Sequence, residues 1–185
     1  MDTRIRPTIR SANAVLLATA AILLPFAAPS AHAADLTATE QCDQEAGSEL
    51  DLERNRAFPA VATEDIRIGV ALSACREAYN QNGDARTQFQ LARVLDRAGE
   101  KLKSLQILGE AAQNGHALAM AMYGTRLVER GEAEAAFDLY QRAAAAGNVV
   151  AARNLAVAYR DGVGTRADGA LAAQWSERAK TSKLQ

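Results

Sequence analysis

The chain of 185 residues fits one domain, and its 21 basic and 22 acidic side chains leave a net charge of −1. That balance excludes a nucleic-acid or anionic-lipid binder, which needs an excess of Lys and Arg. His32 and His116 are the only histidines, and the first falls in a segment predicted to be removed, so a metal site built on two histidines is excluded too.

Arg4, Arg6 and Arg10 precede an apolar run from Ala14 to Ala28, and Ala31-His32-Ala33 places small residues at both positions a signal peptidase reads. Residues 1–33 read as a secretory signal peptide cleaved after Ala33. The run is broken by Pro25 and falls short of the roughly 20 apolar residues a membrane span needs, so no stable membrane insertion is expected after cleavage. Lipid anchoring is not expected either, because the nearest cysteine is Cys42.

Export makes the cysteine count informative, since exported compartments permit disulfides. Cys42 and Cys75 are an even pair, which most often bonds internally. Two buried free thiols and a redox pair are the competing readings, and the latter lacks the Cys-x-x-Cys spacing.

Residues 34–82 read as an N-terminal cap: a short helix near Thr39–Glu45 carrying Cys42, an extended linker over Gly47–Val61, and a first long helix. Asp65 can cap that helix, whose apolar positions Ile68, Ala71, Leu72, Cys75 and Tyr79 keep a 3.6 period until Asn82-Gly83.

Residues 83–182 contain no proline and are predicted to be helical throughout. Gly83, Gly115 and Gly147 recur at a constant spacing, 115 − 83 and 147 − 115 both being 32. Leu91-Ala92-Leu95, Tyr123-Gly124-Leu127 and Leu155-Ala156-Tyr159 repeat a large-small-large pattern, the mark of a helical face that a second helix approaches closely. Ile107, Leu139 and Trp175 align in the following helix, with Ala111, Ala143 and Ala179 four positions on; the third unit is longer by four, through Asp161–Arg166. A shift of 32 places Cys75 on the buried position of Ile107, which supports its pairing with Cys42. The expected fold is all-α: a short α-solenoid of three stacked helix-turn-helix repeats with a disulfide-linked N-terminal cap.

These residues resemble the tetratricopeptide superfamily, specifically its Sel-one-like branch. Unit three carries the resemblance through Ala151, Asn154-Leu155-Ala156, Tyr159, Gly162, Gly164, Asp168, Ala172, Trp175 and Ala179. Units one and two lack the Gly-x-Gly insert and look like shortened tetratricopeptide hairpins. Cys42-Asp43 and Cys75 ahead of such an array also look like a type of exported repeat protein of Gram-negative bacteria, which implies the periplasm. The resemblance implies that the first helix of each pair lines a groove, which selects Phe89, Arg93, Asp96, Ala121, Thr125, Val128, Arg153, Val157 and Arg160.

Residue types elsewhere point to structure. Gly162-Val163-Gly164 imitates a dinucleotide fingerprint but follows a helix, so it reads as an interhelical turn. His116, next to Gly115, reads as a solvent-exposed turn residue, Trp175 as core, and Glu129, Glu132 and Glu134 as a solvated turn. No cofactor or metal is expected. The expected function is a non-catalytic scaffold that binds a protein or peptide segment. The alternative is a weak hydrolase or β-lactam-binding protein, a property of some disulfide-rich Sel-one-like proteins, although Ser-x-x-Lys is absent here.

Overall fold

A computed structural model describes Met1 and residues 36–181; the predicted signal peptide and its cleavage point lie outside the described residues. Among these there are eight α-helices and no strand: α1 (Ala38–Ala46), α2 (Ile68–Asn82), α3 (Ala85–Arg97), α4 (Lys101–Gln113), α5 (Ala117–Glu129), α6 (Ala133–Ala145), α7 (Val149–Asp161) and α8 (Gly169–Thr181), with a 3₁₀ turn at Thr63–Asp65. No described helix is long and apolar enough to cross a membrane.

Consecutive helices pack on one another in the order of a helical solenoid. The pairs α3/α4, α5/α6 and α7/α8 are hairpins one, two and three. The helices from α3 to α7 are equal in length, and their first residues, Ala85, Lys101, Ala117, Ala133 and Val149, are evenly stepped; only α8, at Gly169, starts later than that step. The repeat seen in the glycines thus contains a finer period of one helix and one turn. Four of the turns share one geometry. At Gly115, for example, φ is +94°, the Gly115 N–H bonds to the Ala112 carbonyl and the His116 N–H to the Ala111 carbonyl. This is the Schellman arrangement, in which glycine takes the left-handed position at low cost.

In hairpins one and two the helices of a pair begin differently, whereas in hairpin three α8 is capped by Asp168 as α7 is by Asn148. The first helices are capped by side chains, Asp84 to Thr87 N–H, His116 to Ala119 N–H and Asn148 to Ala151 N–H, whereas α4 and α6 have no side-chain cap. The core is rich in alanine. Phe89, Ala92, Leu108, Ala111 and Ala112 of hairpin one pack against Ala117–Ala121 of α5, and Ala121, Ala143 and Ala151 continue that cluster. Small residues let helices approach closely: a β-carbon at Gly124 would come within 2.6 Å of the Tyr140 ring. The longer turn of hairpin three tucks under α6, where a β-carbon at Gly164 would come within 2.1 Å of the Ala133 carbonyl oxygen. Gly162 and Gly164, with φ of +72° and +68°, form the expected interhelical turn. Trp175 is half-buried rather than enclosed: it packs on the Leu127–Tyr140–Leu155 cluster while the Arg178 guanidinium covers its ring at 4.6 Å.

The disulfide between Cys42 and Cys75 is present and joins α1 to α2. The rest of the cap differs from the expectation in two respects. Asp65 belongs to the 3₁₀ turn and does not cap α2, whose first turn has no side-chain cap. Residues 47–61 are not an extended linker. They fold into turns, Asp51 N–H to Ser48 carbonyl and Arg54 N–H to Asp51 carbonyl, the Val61 N–H bonds back to the Gly47 carbonyl to join the two ends of the segment, and they lie against α3 and α5. An irregular segment makes few backbone hydrogen bonds of its own, so folding it down requires partners from elsewhere.

Candidate functional site

α3 holds both α1 and the end of the segment that follows it. Arg93 is 9% exposed and donates to the carbonyls of Ala46 and Val61 and to the Thr63 hydroxyl. Its guanidinium pKa is lowered by burial, against which the nearby Asp51 charge acts. Gln90 donates to Asp43 and presses its carbonyl oxygen against the Cys42 sulfur at 3.1 Å, a contact in which the disulfide sulfur has no proton to donate. Arg86 lies 3.1 Å from the same Asp43 carboxylate, and Asn55 donates to its other oxygen. Glu45 pairs with Arg67.

A second polar cluster joins the cap to α5. Glu53 accepts the Ala117 N–H at 2.8 Å, and Asp51 Oδ1 lies 3.3 Å from His116 Nε2. His116 is fully buried, not exposed, and stacks on Phe89 with ring centroids 4.4 Å apart. Asp51, Glu53 and His116 offer three donor atoms within 4.8 Å of one another, the spacing of a metal-binding set. The tautomer argues against that use. Nδ1 of His116 accepts the Ala119 N–H, so the proton of the neutral ring sits on Nε2, the atom that faces Asp51. A metal-ligating histidine instead donates a proton from its other nitrogen. The register explains why: His116 occupies the capping position held by Asp84 and Asn148. The cluster is a latch that fixes residues 51–53 against the start of α5.

Clefts on the array take in several of the predicted groove residues. The first, of about 420 Å³, opens between α3, α4 and α5. Leu102, Leu105, Leu108 and Met122 give it apolar walls, and Arg93, Asp96, Lys101 and Arg126 place charge around them. Leu102 is 86% and Met122 39% exposed, an unusual outlay of apolar surface for neighbouring residues. The second cleft, of about 670 Å³, lies between α7 and α8. It is the same place in the repeat: Ala156, Val157, Arg160, Ala172 and Ser176 align with Ala92, Arg93, Asp96, Ser104 and Leu108.

The nine predicted groove residues therefore divide. Arg93 and Asp96 line the first cleft, and Arg153, Val157 and Arg160 line the second. Phe89 and Ala121 are fully buried and are corrected to core positions, because the next hairpin packs over them. Val128 is half-buried in the core between hairpins two and three. Thr125 is exposed, and its hydroxyl receives hydrogen bonds from Tyr140 and Asn154. Glu129 and Glu132 pair with Arg126 and Arg130 in a solvated turn. Leu102, Leu105 and Met122 were missed; their signal in the sequence was an apolar residue where the 3.6 period calls for a solvent-facing one. No protein-family model matches the chain, and no curated protein matches it in sequence.

Proposed function

We propose that this chain is a non-catalytic interaction scaffold, a Sel-one-like or tetratricopeptide-like array of the periplasm, that holds a protein or peptide segment in the cleft between hairpins one and two. The observation that carries the reading is the cleft's composition. Leu102 and Met122 offer an apolar surface that an incoming side chain can cover, and methionine adapts its shape to different ligands. Lys101 and Arg126 stand at the edge, where a carboxylate would fix the register of a segment. The same array already holds an irregular segment, residues 47–64 of its own chain, through Arg93 to the Val61 carbonyl and Arg97 to the Glu64 carbonyl. The disulfide fits an oxidising compartment.

A photo-crosslinking residue placed at Leu102, with one at Val70 on α2 as a control of comparable polarity, tests this in intact cells. Discrete adducts from position 102 and none from position 70 are expected. Identical patterns from the two would refute the reading. Turnover of a chromogenic β-lactam by the purified exported chain would support the hydrolase alternative instead.

A further inference from the structure

In hairpin one, the face that meets the next hairpin carries Phe89, Leu108 and Ala112 around the small residues Ala92 and Ala111. In hairpin two the equivalent flanking positions are Ala121, Tyr140 and Ala144, around Gly124 and Ala143. Hairpin three keeps the small residues, Ala156 and Ala179, but the three flanking positions become Arg153, Ser176 and Lys180. The floor that lets a helix backbone approach is thus continued, while the apolar contacts that would seat another hairpin of the same kind are replaced by cations and a hydroxyl.

The cleft on this face has three cationic side chains, Arg153, Arg160 and Lys180, and no carboxylate in its lining. Arg160 and Lys180 pair with the exposed Asp161 and Glu177, and exposed pairs of this kind contribute little and exchange readily. Arg153 makes no ion pair or hydrogen bond among the described residues.

We infer that the outer face of hairpin three is a docking site for a helix of a partner protein that bears carboxylates on its contacting face. The inference rests on the scaffold reading only in taking the chain to bind protein, and it concerns a different surface from the Leu102 cleft. A helix seats on Ala156 and Ala179 as α5 seats on Ala92 and Ala111, and its Glu or Asp side chains reach Arg153 and Lys180 where Phe89 and Ala112 make apolar contacts in hairpin one.

The probes are alanine-rich helical peptides with Glu on one face, their Lys counterparts, and a Glu peptide of the same composition interrupted by proline. Each is titrated into the isotope-labelled exported chain and followed by NMR. The Glu helix is expected to shift amide signals around Ala156 and Ala172, with affinity falling as salt rises. The double variant Arg153→Glu/Lys180→Glu, checked for fold by circular dichroism, is expected to bind it about tenfold more weakly and to gain affinity for the Lys helix. Absence of shifts in α7 and α8, or equal affinity of the double variant, overturns the inference. Equal binding of the proline-interrupted peptide overturns the helical occupant, and self-association that the double variant abolishes overturns the partner by assigning the face to a second copy. Leu102→Ser is expected to leave Glu-helix binding unchanged while stripping the first cleft of its most exposed apolar wall, so the two readings fail separately.

Discussion

The cap and the last hairpin are built from different materials. Asp43, Glu45 and Asp51 are buried in the cap, next to a disulfide, and they are met by Arg86 and Gln90 of α3, by Arg67 just before α2 and by His116 just before α5. From residue 149 to 181 every buried residue is Ala or Leu. Hairpin three satisfies its backbone locally, within helices and a glycine turn, so its interior needs only shape. The segment between α1 and α2 has no helix to satisfy it, except for one 3₁₀ turn, so that region is held by charge, hydrogen bonds and a covalent link. Burying a polar group without a partner costs more than a well-made hydrogen bond contributes, so the cap is the more specific of the two regions and the easier to undo with a single change.

The largest expected effect breaks the covalent side of this comparison. Cys42→Ser removes a crosslink with a sequence separation of 33 and should cost about 3–4 kcal/mol in the chain-entropy model. Denaturant unfolding with hydrogen exchange is expected to show faster exchange before residue 68 and unchanged protection in α5–α8. Loss of protection throughout would mean that the cap and the hairpins are one cooperative unit.

His116→Ala removes the cap of α5, the Phe89 stack and the partner of a buried carboxylate, and should cost about 2–3 kcal/mol. His116→Asn sharpens the test, because Asn148 shows that asparagine fills this capping position. It is expected to restore helix stability by about 1 kcal/mol while residues 51–53 still exchange faster than in the parent. If both variants match the parent in thermal melts, the latch contributes nothing.

Gly124→Ala probes the hairpin side, where only shape matters. The added methyl meets the Tyr140 ring at 2.6 Å, and overpacking of this kind should cost about 1–2 kcal/mol. Its effect is expected at the crossing of α5 and α6 within hairpin two with the cap unchanged, read by chemical shifts of both regions.

The smallest effect is pH-dependent. Burial raises the Tyr140 phenol above its ordinary 10.0. The unfolded chain therefore ionises first, so the stability that Tyr140 contributes is present below about pH 10 and is lost as pH rises through the folded value. Melting temperatures of Tyr140→Phe are expected to fall less steeply than those of the parent above about pH 10. Equal slopes would mean that the phenol reaches solvent.

The helical content, the three hairpins, the glycine turns and the alanine crossings were legible because each depends on residues within one or two turns of helix. The Cys42–Cys75 bond was legible from count and register. The reversal of His116 from exposed to buried was not, because it depends on Asp51 and on Phe89, far away in the sequence. Phe89 and Ala121 were placed in a groove by the pattern of a first helix; the next hairpin, stacked over them, decides otherwise. Residues 47–61 carry no helical period and read as a linker, yet Glu53 reaches Ala117 across 64 positions. Periodicity is written into the chain locally, so the sequence by itself determined the helices and their order. Which face is covered, which charge is buried and where a cleft opens depend on contacts between residues far apart, and only the tertiary structure decided them.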